Sequence, residues 1–269
     1  MTAESVDPGE LDRLLALAER LAETSAPIIR QWFEAGTAVE DKPDASPVTR
    51  ADREAEAAMR ELIAAECPEH GIIGEEHGTE RGEADYIWVL DPIDGTKAFI
   101  TGRPWFGTLI ALTHQARPIL GVIDIPLLGL RWFGAAGRPT LLRRDGKASE
   151  VRTRSCTSLE AAILSATSPD MFEGAAMAAF ERLSGSVKYR LFGGDCFAYG
   201  TLADGRLDLV IEAGMGIYDF MALVPVIEGA GGRITDWDGR ALSLASGDRV
   251  LAAGDPALHG GALGLITAD

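Results

Sequence analysis

The sequence predicts a layered α/β protein, and three observations support that fold class. Strand-like and helix-like segments alternate through the second half of the chain. Apolar residues recur at helical spacing from residue 11 to residue 22. Short runs of strand-forming residues, the clearest being 86–90 (YIWVL), occur in the first half. Alternation of the two element types is typical of helices packed on the faces of sheets.

The first half is predicted to contain two helices and then a sheet. Asp7 provides an N-cap and Pro8 suits the first helical position, so the first helix begins there. A polar loop over 40–47 leads to a second helix, which begins near Thr49 and Asp52 and ends near residue 67. Strands are expected at 86–90, 106–113, 119–125 and 130–133, and a hairpin with a loop at 137–151.

The second half is predicted to add four strands and four helices. The strand-like segments are 162–166, 189–192, 207–212 and 250–253. The helix-like segments are 171–183, 197–203, 220–229 and 256–266. We expect a single domain over 1–269, made of two packed halves that divide near residue 150.

Composition and charge narrow the class of partner. Hydrophobic residues make up 46% of the 269 residues, enough for a sizeable core. The formal net charge of −16 leaves no basic footprint of the kind that nucleic acid and anionic membranes require. An anionic substrate would then need bound divalent cations, which reverse the sign of the local field.

A cytoplasmic location is expected from three features of the chain. The widely spaced cysteines Cys67, Cys156 and Cys196 form no C-x-x-C pair, so they predict reduced thiols rather than a zinc site or disulfides. The first 15 residues carry acids and lack the basic start and apolar run of a signal peptide. No segment approaches the ~20 apolar residues of a membrane span.

The segment from Asp91 to Thr96 (DPIDGT) carries the most chemical information. Asp91 and Asp94 stand three residues apart directly after a buried strand, and sites in α/β proteins gather at the carboxyl ends of strands. Pro92 stiffens the turn, and Gly95 lets backbone approach a ligand closely. Oxygen ligands without nearby His or Cys favour Mg²⁺ or Mn²⁺ over zinc. The plainer alternative is a strand that ends in a turn, with Asp94 as a helix cap.

Two further acidic segments complete the candidate site. Glu75 and Glu76 end a short apolar run. Since adjacent side chains point in different directions, we expect only one of them to bind metal, with Glu75 the first choice and Glu76 the second. The alternative is an exposed loop charge. Asp219 follows Tyr218 and precedes a largely apolar helix, so by itself it is also a candidate N-cap.

Taken in chain order, these segments resemble the inositol monophosphatase-like family of metal-dependent phosphatases. The matching pieces are 74–76 (GEE), 88–99 (WVLDPIDGTKAF), and Asp219 followed by 228–232 (EGAGG). The resemblance covers nearly the whole chain, including the loop with Lys42 and the Thr49–Asp52 pair. One departure is Tyr218, where the family's second motif usually begins with Trp, although the ligand Asp219 is kept.

The resemblance implies a five-layer αβαβα sandwich, a homodimer, and a small phosphomonoester as substrate. It implies two or three Mg²⁺ ions, for which Mn²⁺ can substitute, held by Glu75, Asp91, Asp94, Asp219 and the carbonyl of Ile93. The implied catalytic residues are Glu75, Thr96 and Asp52, with Thr96 and Glu75 positioning the attacking water. The backbone of Gly95 and Thr96 would cradle phosphate. Metals can polarise the phosphate, generate hydroxide and stabilise the leaving oxygen, so no covalent nucleophile is needed.

Two alternatives to this reading differ in chemistry. The aspartyl-phosphate phosphatases carry two acids two residues apart near a strand end, whereas here the spacing is three and Pro92 lies between. A sugar- or ion-binding regulator on the same scaffold would need no catalysis. Retention of every proposed ligand argues against the regulator.

The substrate is suggested by a finer resemblance to bacterial histidinol-phosphate phosphatases of this family. It rests on 94–104 (DGTKAFITGRP), 193–196 (GGDC), and Tyr218-Asp219 with 225–229 (PVIEG). Asp195 falls where inositol-directed members tend to carry a small residue, and Glu212 falls on a substrate-contact position, as does Asp219.

Histidinol phosphate carries an ammonium and an imidazole, so its pocket gains from carboxylates beyond those on the metals. This substrate would place the protein in histidine biosynthesis. The runner-up is an inositol or related sugar phosphate. The plainer alternatives for the two acids are that Asp195 caps the helix starting near Cys196 and that Glu212 is a structural contact.

Overall fold

The computed structural model describes residues 6–36, 39–41 and 47–268, so the Lys42 loop lies outside the described residues. The elements of the first half are α1 (Pro8–Ala35), β1 (Val39–Asp41), β2 (Pro47–Thr49), α2 (Arg50–Glu66), β3 (Gly71–Gly74), β4 (Gly78–Glu80), β5 (Tyr86–Asp94), α3 (Thr96–Ile100), β6 (Gly107–His114), β7 (Arg117–Ile125), β8 (Leu130–Ala135), β9 (Leu141–Arg144) and β10 (Lys147–Glu150). Those of the second half are β11 (Ile163–Ala166), α4 (Ala175–Ser184), β12 (Tyr189–Phe192), α5 (Asp195–Ala203), β13 (Leu209–Glu212), α6 (Ile217–Phe220), α7 (Leu223–Gly229), β14 (Arg233–Thr235), β15 (Val250–Ala253) and α8 (Pro256–Ile266).

Helix α1 begins where the sequence predicts. Asp7 Oδ2 accepts hydrogen bonds from the backbone N–H groups of Gly9 (3.0 Å) and Glu10 (3.1 Å). Pro8 stands at the start of the helix, where a residue without an N–H leaves nothing unsatisfied. The cap fixes where α1 begins. The helical spacing of the residues that follow then places the buried leucines on one face, namely Leu11, Leu14, Leu17 and Leu21.

Eight strands form the larger sheet, in the order β10-β9-β8-β7-β6-β5-β3-β4. β3 runs parallel to β5, and the other neighbouring pairs are antiparallel. Along β5 the side chains alternate between two cores. Trp88 and Leu90 pack with α1 and α2, and Ile87 and Val89 pack with the helices on the opposite face.

Five strands form the smaller sheet, in the order β12-β11-β13-β15-β14. Its inner face contributes Val210 and Ala252 to the same core as α5 and α7. Its outer face is covered by α4 and α8, where Leu251 is buried with Phe180 and Leu258. The smaller sheet is therefore also covered on both faces.

The layers follow the order of the expected αβαβα sandwich, which is confirmed. They are α1 with α2, the larger sheet, α5 to α7, the smaller sheet, and α4 with α8. Two glycines allow the close approach of the middle layer. A Cβ on Gly121 would overlap the backbone of Ala222, and a Cβ on Gly134 would overlap the backbone of Pro225 at α7. Among the described residues no helix is long and apolar enough to cross a bilayer.

Three predicted boundaries are wrong in ways that matter for the site. β5 continues past residue 90 to Asp94. The predicted helix 220–229 is two helices, α6 and α7, so Asp219 lies inside a helix. The helix predicted at 171–183 begins later, at Ala175, after Gly174 with a positive φ of 54°. The short strands β3, β4 and β14 were not predicted. The single domain with a division near residue 150 stays a prediction.

Candidate metal centre and active site

Glu75 and Asp91 are brought together by the parallel pairing of β3 and β5. Gly74 lies opposite Leu90, and the backbone N–H of Glu75 donates to the carbonyl of Leu90 at 3.2 Å. The carboxyl ends of parallel strands lie at the same edge of a sheet. Glu75 therefore leaves β3 beside Asp91, although 16 positions of chain numbering separate them.

An irregularity in β5 places Asp91 and Asp94. The pairing register with β6 shifts between these two residues. The buried Thr108 hydroxyl donates to the carbonyl of Pro92 at 2.8 Å, which holds the irregular stretch against β6. A shifted register changes which side of the strand a residue faces, so two acids three apart can both serve one site.

Asp219 joins this pair from the middle helical layer. Each of Asp91, Asp94 and Asp219 offers a carboxylate oxygen, and the three oxygens lie within 4.8 Å of one another. Asp219 Oδ2 accepts from the N–H of Gly216 at 2.7 Å, and Asp94 Oδ2 accepts from the N–H of Cys196 at 2.5 Å. The N-cap alternative is wrong for both acids, since Gly216 and Gly95 hold the cap positions of α6 and α3.

These carboxylates repel one another in a buried site. Burial raises the pKa of Asp91 well above its usual range, and the charges of Glu75, Asp94, Asp219 and Asp52 raise it further. Burial also raises the pKa of Asp219 to about 7. Asp91 Oδ1 is buried and has no hydrogen-bond partner among the described residues. A hard divalent cation would satisfy that atom and offset the repulsion, so the donor set fits the metal that the sequence predicts.

Asp52 and Glu75 lie near the group formed by Asp91, Asp94 and Asp219. Within the part of the chain that the structure describes, they are not members of that group. Asp52 lies in the first turn of α2 and is 1% exposed. Its charge contributes to the raised pKa of Asp91, which places it near the metal group. The catalytic roles of Asp52 and Glu75 stay predictions.

Gly95 and Thr96 form the turn from β5 into α3. Gly95 has φ 85° and ψ 39°, and a Cβ there would meet Asp195 Oδ2 at 3.0 Å, so glycine is required on both counts. The Thr96 hydroxyl donates to the carbonyl of Ile93 at 3.1 Å. The hydroxyl lone pairs and the second lone pair of the carbonyl both remain as acceptors.

Two adjoining cavities open onto the acids and the turn of this site. The outer cavity, about 580 Å³, is lined by Glu75, Gly95, Thr96, Lys97, Arg103 and Asp195, among others. The inner cavity, about 120 Å³, is lined by Asp94, Asp219 and Glu212, among others. Thr167, Met171 and Asp195 line both, so the two cavities meet there.

The chain that carries these acids and the DPIDGT turn matches a known family along nearly its whole length. The model of the inositol monophosphatase family fits residues 10–268 of the chain. The chain belongs to the inositol monophosphatase family.

Relatives within the inositol monophosphatase family carry several names. Bifunctional phosphatase IMPL2, chloroplastic, of Arabidopsis thaliana is 50% identical over 94% of this chain and 75% of its own length. A histidinol-phosphatase of Mycobacterium tuberculosis is 36% identical over 86% of this chain and 89% of its own. A solved inositol monophosphatase of Zymomonas mobilis is 46% identical, with a TM-score of 0.86 over 96% of this chain and 98% of that one. The chain is therefore a phosphatase of the inositol monophosphatase family.

Glu212 is the buried acid of the inner cavity. It ends β13, and it is 1% exposed. Its Oε1 accepts from both the N–H and the hydroxyl of Thr167, each at 2.9 Å. Its Oε2 is buried without a hydrogen-bond partner among the described residues. Burial raises the pKa of Glu212 to about 8, against the lowering effect of the Thr167 bonds.

Asp195 stands where the two cavities meet. It is the first residue of α5, after the N-cap position at Gly194, so the helix-cap alternative is wrong. Its φ is 43°, a left-handed value that is uncommon outside glycine. Burial raises the pKa of Asp195, while the positive charges of Lys97 and Arg103 lower it. The negative charge of the Asp195 carboxylate is therefore partly neutralised by Lys97 and Arg103, which line the outer cavity.

Sequence reasoning missed Glu56, which holds the loop that carries Glu75. The fully buried Glu56 carboxylate accepts from the N–H groups of Glu76 (2.8 Å) and His77 (3.1 Å) and from Arg60 Nε (2.7 Å). The signal was present in the sequence. Glu56 follows Asp52 by one helical turn on the apolar face of α2, where an acid needs a buried partner.

Proposed function

We propose that this inositol monophosphatase-family phosphatase hydrolyses histidinol phosphate to histidinol and phosphate, with Mg²⁺ as its cofactor. The observation that carries the proposal is Oε2 of Glu212. A buried carboxyl oxygen without a partner, in a cavity that also reaches Asp94 and Asp219, calls for a polar group on the leaving alcohol, and a cationic group there would favour the ionised, hydrogen-bond-accepting form of Glu212. Histidinol supplies such groups in its ammonium and its imidazole.

The metal would be held by Asp91, Asp94, Asp219, Glu75 and the carbonyl of Ile93. Bound Mg²⁺ would polarise the phosphate, lower the pKa of a bound water and stabilise the leaving oxygen. Mn²⁺ offers the same preference for oxygen ligands and could replace it.

The attacking water would be oriented by side chains of this chain. The Thr96 hydroxyl donates its own hydrogen to the carbonyl of Ile93, so its lone pairs can accept a hydrogen bond from that water and orient it. Glu75 lines the same cavity and would take up the single proton that the water loses as it attacks. Asp52 would act from α2 through the field that it exerts on Asp91. The backbone of Gly95 and Thr96 would hold the phosphate oxygens.

The leaving alcohol would extend from the phosphate toward Asp195. The ammonium of histidinol sits on the carbon next to the phosphorylated one, so it would meet Asp195 at the junction of the cavities. A partly buried charge-assisted hydrogen bond contributes about 1.5–3 kcal/mol. The Mycobacterium tuberculosis relative that is named histidinol-phosphatase supports this substrate.

An inositol or related sugar phosphate is the second candidate. It is favoured by the 46% identity to a solved inositol monophosphatase from Zymomonas mobilis. A phosphate-release panel with histidinol phosphate, inositol phosphates and glycerol phosphate separates the two. Turnover of inositol phosphate with none of histidinol phosphate would overturn the first proposal.

Asp195→Asn tests the specificity within that panel. We expect its efficiency on histidinol phosphate to fall roughly 10- to 150-fold, and its hydrolysis of glycerol phosphate to change little. Asp145→Asn is the matched control, because Asp145 is exposed on the β9–β10 turn. An equal loss on both substrates would place Asp195 in the shared catalytic apparatus instead.

We also propose a cytoplasmic homodimer. The exposed apolar side chains Tyr189, Leu191 and Phe192 on the edge strand β12 support association. Sedimentation of the purified protein at the mass of a monomer, across the working concentration range, would refute the dimer.

A further inference from the structure

Cys196 is a buried thiol at the metal centre that the proposed chemistry leaves unused. It is the second residue of α5, it is 2% exposed, and it lines the inner cavity together with Asp94 and Asp219. It belongs to the second half of the chain, 102 positions after Asp94. The contact between Cys196 and Asp94 therefore joins helix α5 to the end of strand β5.

Cys196 offers two hydrogen-bond donors to the Asp94 carboxylate. Its backbone N–H donates to Asp94 Oδ2 at 2.5 Å, and its thiol lies beside the same carboxylate as a side-chain donor. Burial and the charges of Asp195 and Asp219 raise the pKa of Asp94 well above its usual range, and both donors of Cys196 act against that rise. An ionised carboxylate has about four lone-pair sites on its two oxygens, so two donors leave acceptor capacity for a metal ion.

Gly107 leaves room for this thiol on the neighbouring strand. In the pairing of β5 with β6, Gly107 lies opposite Asp94. A Cβ on Gly107 would lie 2.6 Å from Cys196 Sγ and 2.8 Å from the carbonyl oxygen of Asp124. The φ of Gly107 is not positive, so close packing, and not backbone conformation, requires glycine here. The thiol therefore lies close to the β6 backbone and to the Asp94 carboxylate at once.

A second close approach fixes the start of α5 on this edge of the sheet. A Cβ on Gly95 would meet Asp195 Oδ2 at 3.0 Å, so Asp195 packs on the residue that follows Asp94. Cys196 comes next and packs on Gly107. Because two successive residues of α5 are held against β5 and β6, the donors of Cys196 are presented to Asp94 from a fixed position.

We propose that Cys196 is a positioning residue of the metal centre, whose N–H and thiol together hold the Asp94 carboxylate in its metal-binding orientation. A carboxylate can turn about its side-chain bonds, and loss of one donor would let it turn away from Asp91 and Asp219. Groups that orient a metal ligand contribute to metal affinity without touching the metal. The inference rests on the proposed metal-binding role of Asp94 and adds a residue outside the ligand set.

The test measures the Kd of Mn²⁺ by electron paramagnetic resonance, with the Tm in EDTA as a separate measure of the fold. Cys196→Ala removes the thiol and keeps the backbone bond. We therefore expect Mn²⁺ to bind about 2- to 12-fold more weakly, the equivalent of one modest hydrogen bond. Cys196→Ser keeps a donor at the same position and should restore most of the affinity.

Cys67→Ala is the matched control for the loss of a buried thiol. Cys67 is fully buried in the core beneath α1, where its sulfur accepts from the guanidinium of Arg13 at 3.7 Å. This variant should lower the Tm and leave the Mn²⁺ affinity unchanged. An unchanged Mn²⁺ affinity in Cys196→Ala, or a loss that Cys196→Ser does not reduce, would overturn the positioning role.

Asp94→Asn separates this inference from the proposed function. If Asp94→Asn leaves Mn²⁺ binding unchanged, the metal role of Asp94 fails, and the inference fails with it. If Asp94→Asn weakens Mn²⁺ binding and Cys196→Ala does not, the metal role stands and only the positioning role is lost. In the Asp94→Asn background, Cys196→Ala should cause no further loss, because it acts through Asp94. A further loss in that background would also overturn the positioning role.

Discussion

Replacing Glu56 with glutamine should damage the metal centre from a distance. The carboxylate of Glu56 accepts two backbone N–H groups, from Glu76 and His77, and the guanidinium of Arg60. A glutamine amide has one acceptor oxygen and one NH₂ group, so at least one of these donors would face another donor. Leaving a buried donor unpaired and weakening a buried ion pair together cost about 2–4 kcal/mol.

The consequence for function follows from the loop that Glu56 holds. Glu75 stands directly before the two residues whose N–H groups bind Glu56, so a looser loop places Glu75 less accurately beside Asp91. Loss of such supporting bonds typically costs 10- to 100-fold in metal affinity or activity. We therefore expect the Mg²⁺ concentration for half-maximal phosphate release to rise within about that range for Glu56→Gln.

The assays are a Mg²⁺ titration of phosphate release and urea unfolding of the same preparations. Glu61→Gln is the control, because Glu61 is exposed on the same helix. Unchanged half-saturation by Mg²⁺ together with an unchanged unfolding midpoint would refute the role given to Glu56. A lower midpoint with normal half-saturation would show that Glu56 supports the fold and not the metal centre.

The remaining predictions concern the acids and the threonine of the site. Asp91→Asn and Asp219→Asn should each abolish Mg²⁺-dependent turnover and leave a folded protein. Phosphate release measures the turnover, and circular dichroism checks the fold. Near-normal activity in either variant would refute the ligand assignment. Thr96→Ala should lower kcat more than it raises KM, and the reverse pattern would indicate a phosphate contact. Glu75→Gln should raise the Mg²⁺ requirement. In EDTA, the pKa of Asp219 is about 7 in the folded protein and about 3.9 when unfolded. The folded protein therefore binds this proton more tightly than the unfolded chain does. The stabilisation that this proton gives the folded state is lost as pH rises from about 3.9 to about 7. The Tm of Asp219→Asn minus that of wild type should therefore increase with pH, and a constant difference would contradict the coupling.

The middle of the site shows what local sequence can and cannot predict. The DPIDGT turn could be predicted as a metal and phosphate site because its acids, proline and glycine lie next to one another and follow a clear strand. The end of that strand was misplaced because the bulge between Asp91 and Asp94 depends on pairing with β6. Asp219 looked like an N-cap because the four-residue helix α6 has no periodic signal of its own.

The sequence by itself determined the fold class and the alternating elements, and it singled out the acids that the structure brings together as a candidate metal site. These depend on periodicity, capping and neighbours within a few positions, which a chain expresses locally. The tertiary structure alone decided the charge around each acid and the shape of the pocket. Glu212 lacks a partner for Oε2 because Thr167 of a separate segment takes Oε1, and Asp195 is partly compensated because Lys97 and Arg103 fold against it. Such environments arise where distant segments pack, because burial and pairing are set by every surface that meets there and not by the residue itself.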